Sequence, residues 1–184
     1  MIQEVLSHYL EEKSRAAKEE VFLFYSPPWL SSFEKITLLW VGGFKPFLLF
    51  KLLAYSVTEL TPEQEETIER VKYETRREER ELTLAMATIQ ESVATPPLLN
   101  LVKRFGKLID DEELELESAM ETLKAAMLRT LERADKLRRS TVRKVIEVRS
   151  PVQTVKFLAA SSEFQLRVRK WGLQKDQQRE TGLG

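Results

Sequence analysis

An all-α fold, a single-domain antiparallel helical bundle with two long helices and several shorter ones, follows from three features of the sequence. Apolar residues recur at intervals of three and four along most of the chain, and the strict alternation of a half-buried strand is nearly absent. Breaks at Ser26-Pro27-Pro28, Gly42-Gly43, Pro96-Pro97 and Gly106 divide that pattern into segments of helical length. Three segments open on a Ser or Thr with Glu or Gln three residues later, the reciprocal cap that satisfies free N–H groups of a first helical turn.

The first helix carries Val5, Leu6, Tyr9, Leu10, Ala16 and Ala17 on one face and stops before the paired prolines, which remove donors and clash with a continuing helix. Ser31 with Glu34 opens a second helix bearing Phe33, Ile36, Leu39 and Trp40 and running through Val41. Gly42-Gly43 ends it, because glycine takes the left-handed cap conformation without a side-chain penalty. Pro46 suits the first turn of a third helix, where Phe47, Leu48, Phe50, Leu52 and Leu53 make the surface apolar nearly all round, the mark of a central position in the core.

Thr61-Pro62-Glu63-Gln64 starts a long helix with the stripe Ile68, Val71, Thr75, Leu82, Ala85, Met86, Ile89 and Val93. It spans about 50 Å at ~1.5 Å per residue, and its middle, Arg76 to Glu81, is all charge. A short helix from Leu98 to Phe105 leads to Gly106 and the acidic run Asp110 to Glu117. The second long helix follows, with Leu116, Met120, Leu123, Met127, Leu131, Ala134 and Leu137 as its stripe. Acids at its start and Arg138, Arg139, Arg143 and Lys144 towards its end complement the helix dipole. Ser150-Pro151-Val152-Gln153 opens the last helix, which Gly172 ends just after Trp171. Residues 1–173 therefore read as the helical domain and 174–184 as a flexible tail.

With 184 residues, 42% hydrophobic and 32% charged, the chain suits one domain with a heavily charged surface. Lys+Arg and Asp+Glu both number 29, so no net field concentrates the molecule on DNA or an anionic membrane. The absence of Cys excludes disulfides, thiolate zinc sites and cysteine nucleophiles, and suggests a reducing compartment. The most apolar stretch, Ile36 to Val57, is interrupted by Gly42, Gly43, Lys45, Pro46 and Lys51. It falls short of the ~20 apolar residues a spanning helix needs, so no transmembrane segment is expected.

The inventory for chemistry is poor. A single histidine, His8, reads as a structural residue beside the first stripe, and no carboxylate cluster has EF-hand or di-iron spacing. Val41-Gly42-Gly43-Phe44 follows a helix and lacks the Lys-Ser/Thr of a phosphate loop. Asp110-Asp111 and Glu78-Glu79 sit in solvated charge runs, without the contrasting environments that an acid-base pair requires. No catalytic, cofactor-binding or metal-binding residues are expected. The basic segment Lys124 to Arg149 reads best as pairing with Glu66 to Glu81 on the neighbouring long helix, and Trp29, Trp40 and Trp171 as core anchors.

Three segments bring a family into view: Pro28-Trp29 with Glu34-x5-Trp40-Val41-Gly42-Gly43-Phe44-Lys45-Pro46, then Ala134-Asp135-Lys136-Leu137-Arg138, then Trp171-Gly172-Leu173. In order, and with the first two about ninety residues apart, they resemble the domain of Delay of Germination (DOG) proteins. That domain is shared with the C-terminal region of plant TGA-type basic-zipper transcription factors. The resemblance covers essentially the whole chain. It implies a non-enzymatic plant protein of seed dormancy, germination or development, linked to abscisic acid, working in the nucleus, the cytoplasm or both. Its partners would be regulatory proteins: a phosphatase, a TGA-type factor or calmodulin.

The motif residues Pro28, Trp29, Glu34, Trp40, Gly42, Gly43, Pro46, Ala134, Asp135, Leu137, Arg138 and Trp171 are expected to be structural. For calmodulin, the basic amphipathic stretch Leu158, Phe164, Arg167, Val168, Arg169, Lys170 and Trp171 is the candidate. No basic region or leucine heptad precedes the domain, so direct sequence-specific DNA binding is not expected. The family's N-terminal segment before the His8-Tyr9 helix reads as shortened. Haem binding, associated with histidines in some dormancy members, does not carry over to a chain with no histidine after His8. Two other readings are a transcription regulator acting through TGA-type factors and a sensor of an apolar small molecule. Relatives in pollen-aperture formation keep the physiological role open.

Overall fold

The computed structural model describes residues 2–95, 99–100, 104 and 110–182, apart from the side chains of residues 2, 3 and 110–112. The fold is all-α except for one small hairpin. In chain order the elements are α1 (Ile2–Glu19), α2 (Phe22–Tyr25), α3 (Ser32–Thr37), β1 (Leu39–Trp40), β2 (Gly43–Phe44), α4 (Leu48–Ser56), α5 (Pro62–Val93), α6 (Asp110–Glu147) and α7 (Pro151–Glu180). Of the helix anticipated from Leu98 to Phe105, Leu99, Asn100 and Arg104 are among the described residues, the first two helical and the third in a turn, and the rest lies outside them.

All three sequence-marked helix starts close as reciprocal caps: Ser31 with Glu34, Thr61 with Gln64, and Ser150 with Gln153. The last two also interlock. Gln64 Nε2 donates to Val148 O at 2.8 Å and Gln153 Nε2 to Glu59 O at 2.6 Å, which ties the start of α5 to the start of α7.

The long helices α5 and α6 pack along each other in opposite directions. Lys144 Nζ meets Glu74 at 2.8 Å, the Thr75 and Thr141 hydroxyls meet at 3.3 Å, and Arg133 approaches Glu81 at 3.9 Å, so residue numbers rise on one helix as they fall on the other. The largest core cluster joins Leu49, Phe50 and Leu53 of α4 to Ile68, Val71, Val145 and Phe157. Ala17, Val21, Met127 and Leu131 form a second, and Val41, Leu82, Ala134 and Leu137 a third. Each large aliphatic side chain buried in this way stabilises by roughly 1.5–3 kcal/mol.

Two local readings are corrected. The second helix ends at Thr37, and Trp40 lies on a strand: Leu39 pairs with Phe44 and Trp40 with Gly43 around the turn Val41-Gly42. Both turn residues have positive φ, 43° and 68°, the signature of a type I′ hairpin turn. Glycine adopts this freely, whereas a β-branched valine is strained there. The last helix does not stop at Gly172 but continues to Glu180. Gly172 is buried, and a Cβ on it would lie 2.2 Å from Ser31 Oγ, so glycine here lets α7 approach the start of α3. The left-handed glycine after the helix is Gly182, with φ 68°.

Candidate functional site

The hairpin is held from outside by one side chain. Asp135 and Arg138 stand three residues apart on one face of α6, and Arg138 is almost wholly buried. Its Nε donates to Phe44 O at 2.8 Å, its Nη2 to Val41 O at 2.9 Å and also to Trp40 O, and its Nη1 to Asp135 Oδ1 at 2.6 Å. The same carboxylate oxygen accepts from Lys13 Nζ at 2.8 Å, from the buried stripe Leu10, Lys13 and Ala17 of α1. Burial pushes the Lys13 ammonium below its usual pKa against the opposing pull of Asp135, and it lowers that of Arg138 in the same way. Two cations and one anion remove each other's desolvation cost only because backbone carbonyls take up the guanidinium's remaining donors.

The close seat of the hairpin on α6 accounts for both glycines of the motif. Gly42 combines positive φ with a Cβ direction that would put a carbon 2.2 Å from Leu131 Cδ1, and a Cβ on Gly43 would lie 2.9 Å from the Arg138 guanidinium carbon. Ala134, Leu137 and Pro46 are buried beside it, while Pro28 is exposed. Glu34 does double duty: its Oε2 accepts from Ser31 N at 2.9 Å and Oγ at 2.7 Å, and its Oε1 meets Arg169 of α7 at 3.5 Å.

The tryptophans are not all core anchors. Trp40 is half-buried and donates from Nε1 to Thr83 Oγ1 at 3.2 Å. Trp29 is 52% exposed with its edge towards Phe24, and Trp171 is 45% exposed with its ring centre 4.2 Å from that of Phe33. Each has one apolar neighbour face and one open face, a division that residue type does not reveal. Ile36 likewise points outwards, and His8 lies exposed on α1.

The clasp opens onto a cavity of about 530 Å³ between α1, the segment after α2, the hairpin and α7. Leu10, Phe24, Trp29 and Leu166 give it apolar walls, and Lys13, Glu34, Asp135 and Arg138 share its lining. The most recognisable motif residues thus converge on one amphipathic cleft. Lys13 is the member that sequence reasoning missed, since a lone lysine in a charged helix carries no signal of burial.

Two expectations about charge are also revised. Glu79 is buried, not solvated: its Oε1 accepts from Phe47 N at 2.6 Å in the turn before α4, its Oε2 is 3.9 Å from Lys45 Nζ, and burial pushes its pKa up. Of the bases on α6 and just after it, Lys144 and Arg133 pair with α5 as anticipated, but Arg138 and Arg149 turn inwards.

The stretch considered for calmodulin is already engaged on its apolar side. Leu158 packs on the α4 cluster, and Phe164 and Val168 are half-buried, whereas Lys170 is exposed. Arg167 pairs with Glu163, and Arg169 also donates to Trp29 O at 3.2 Å. Among the described residues no cluster of His, Cys, Asp and Glu is suited to a metal, and no helix is long and apolar enough to cross a membrane.

Residues 1–55 match the family model described as seed dormancy control. Protein ZW2 of Arabidopsis thaliana is 45% identical over 181 residues, covering 94% of this chain and 80% of that protein. Protein RESPONSE TO ABA AND SALT 1 of the same plant is 43% identical over 187 residues, covering 97% and 79%. Transcription factor TGA1, also from Arabidopsis thaliana, is 30% identical over 173 residues, but the chain spans only 45% of its length. On the strength of the family-model match and of the two similarities that extend over most of both chains, the chain belongs to the Delay of Germination family of plant regulatory proteins, and it is related to part of the TGA-type transcription factors.

Proposed function

We propose that this protein is a non-enzymatic interaction module of plant signalling, in abscisic-acid-linked control of dormancy, germination or development, acting in the nucleus, the cytoplasm or both. The observation that carries this reading is the use made of its buried charges. Arg138, Asp135 and Lys13, the groups that a catalyst would direct at a substrate, are committed to one another and to the hairpin carbonyls. What faces outwards is adhesive: on α7, Val152, Val155, Leu166 and Leu173 are exposed, while Phe157 and Gly172 are buried. One relative's name refers to abscisic acid and salt, and others are transcription factors, which supports regulatory proteins as the partners. Haem and metal play no part in this reading.

Affinity purification of the tagged chain from plant tissue, followed by mass spectrometry, tests it. A reproducible set of regulatory proteins, lost with Val155→Glu/Leu166→Glu at unchanged thermal stability, is the expected result. Reproducible turnover of a substrate abolished by a single substitution would overturn it.

The amphipathic cavity favours a second reading, a sensor whose partner binding depends on an apolar small molecule with one polar end. Native mass spectrometry of the purified protein decides it: an added mass removed by Leu10→Trp supports the sensor, and bare protein at full partner affinity rejects it.

A further inference from the structure

A second groove, of about 680 Å³, lies between the end of α3, α4 and the middle of α5, and its electrostatics differ from those of the molecule as a whole. The chain has no net charge, yet this groove gathers Lys45, Lys51, Arg76 and Arg80 around a single acid, Glu79. That acid is turned inwards to the Phe47 N–H. Among the described residues no carboxylate lies within ion-pair distance of Lys51, Arg76 or Arg80, although other surface cations find acids on their own helix. Arg76 and Arg80 stand one helical turn apart, a like-charge spacing that disfavours the free protein. The Arg76 guanidinium is already parked over the Phe47 ring at 4.1 Å, which fixes its plane and leaves its edges for oxygen acceptors. Phe47 and Leu84, the latter 68% exposed, add an apolar strip along the same groove.

From this combination we infer that the groove docks an acidic peptide segment of a partner protein, in which carboxylate side chains are interleaved with leucine-like ones. The inference rests on the interaction-module reading and names a surface and a partner chemistry for it. Four cations over one short groove match two or three carboxylates. They make too small a footprint for a duplex, whose recognition by this neutral chain would need a longer basic track. The apolar strip gives a peptide something that free anions lack.

A concrete probe exists in the chain's own acidic stretch, residues 110–120, DDEELELESAM. A fluorescein-labelled peptide of that sequence, titrated with full-length protein and followed by anisotropy, should bind saturably and weaken on the order of tenfold as salt rises towards 0.3 M. Arg76→Glu/Arg80→Glu should weaken it by at least about tenfold, as should a peptide with every Asp and Glu replaced by its amide. Lys51→Glu on α4 carries the same prediction should the double reversal fail to fold, and Arg139→Glu on α6 is the control expected to change nothing. Because Trp40 donates to Thr83, which lines the groove, its emission should shift on binding.

Binding that ignores both the charge reversal and the amide peptide overturns the inference, as does equal competition by oligouridylate or inorganic phosphate. A sedimenting dimer lost in Arg76→Glu/Arg80→Glu would reassign the groove to a second copy of this chain and overturn the partner. Capture of the same plant proteins by wild type and by the double reversal would reject the groove while leaving the interaction reading intact. Failure of the wild type to capture any partner would reject that reading itself.

Discussion

Arg138 and Arg149 are both buried, eleven residues apart in sequence, one on α6 and one just past its end. They differ in what meets them. The guanidinium of Arg138 is enclosed by a carboxylate and three backbone carbonyls. Arg149 donates from Nε to Val145 O at 2.7 Å and lies over the Phe157 ring at 4.0 Å, but its Nη1 and Nη2 have no hydrogen-bond partner among the described residues. A buried charge specifies structure only where fixed acceptors surround it; elsewhere it is a cost that the rest of the core carries. Arg138 therefore dictates the path of the hairpin, while Arg149 dictates little.

The strongest way to break this contrast is to remove Arg138. Arg138→Ala should cost about 3–5 kcal/mol, because it strips three carbonyls of a donor at once and leaves Asp135 with Lys13 alone. Arg138→Lys should recover little, since one ammonium cannot span the same fork. Urea denaturation measures both, and a loss below about 1 kcal/mol for the alanine variant would show that the hairpin stands without its clasp.

The next effect tests how tightly the clasp fits. Gly43→Ala places a methyl 2.9 Å from the guanidinium carbon and should destabilise by roughly 1–3 kcal/mol as an overpacked site. Combined with Arg138→Ala, much of that penalty should vanish, giving a coupling energy above about 0.5 kcal/mol. Strict additivity in the double-mutant cycle would mean that Gly43 is needed for another reason.

Glu79 sharpens the comparison from the acid side. Its folded pKa is raised by burial, so the folded state binds the proton more tightly than the unfolded chain. The cost of its buried charge is fully present above the folded pKa and is relieved as pH falls through it towards the unfolded value. Glu79→Gln, which keeps an oxygen for the Phe47 N–H, removes that relief. Thermal melts from pH 7 to 4.5 should show wild type gaining on the variant as the pH falls, and parallel curves would place Glu79 in solvent after all.

How far the sequence could be read follows the range of the forces involved. Ser31 with Glu34, Thr61 with Gln64 and Ser150 with Gln153 were legible because a cap involves only residues three apart. The α5 and α6 stripes were legible because one face of each is buried over several turns, from Ile68 to Leu82 on α5 and from Met127 to Val145 on α6. The hairpin was not: Leu39-Trp40 continues the helical spacing of Phe33 and Ile36, and what turns it into a strand is Arg138, almost a hundred residues later. Gly172 misled in a similar way, as its role is set by Ser31 on another element. At the site, Gly42-Gly43 was readable as a point where the chain reverses, whereas Trp40, read as a core anchor at a helix end, is half-buried on a strand. Lys13 and Glu79 looked like ordinary surface charge, because burial of a single ionisable group depends on the neighbours that tertiary structure brings.

The smallest expected effect is the most telling for the opening contrast. Arg149 lies below its normal pKa, at about 10, through burial alone, without the compensating carboxylate of Arg138. Since a base with a depressed folded pKa is relieved only as pH rises above that value, the cost of its charge is constant across the neutral range, and a pH titration there cannot reveal it. Substitution can. Arg149→Met keeps an unbranched apolar stem against Phe157, gives up one hydrogen bond to Val145 O and a cation–π contact, and removes an unpaired buried cation. The losses, ~0.5–1.5 kcal/mol for the hydrogen bond and up to ~2 for the ring contact, are of the same order as the desolvation penalty removed. The variant should therefore stay within about 1 kcal/mol of wild type and fall on the stabilised side, as buried charges replaced by well-packed apolar groups often do. Chemical denaturation reads this directly. A loss beyond about 2 kcal/mol would mean that the Arg149 amino groups are held after all, and the distinction between the two arginines would collapse.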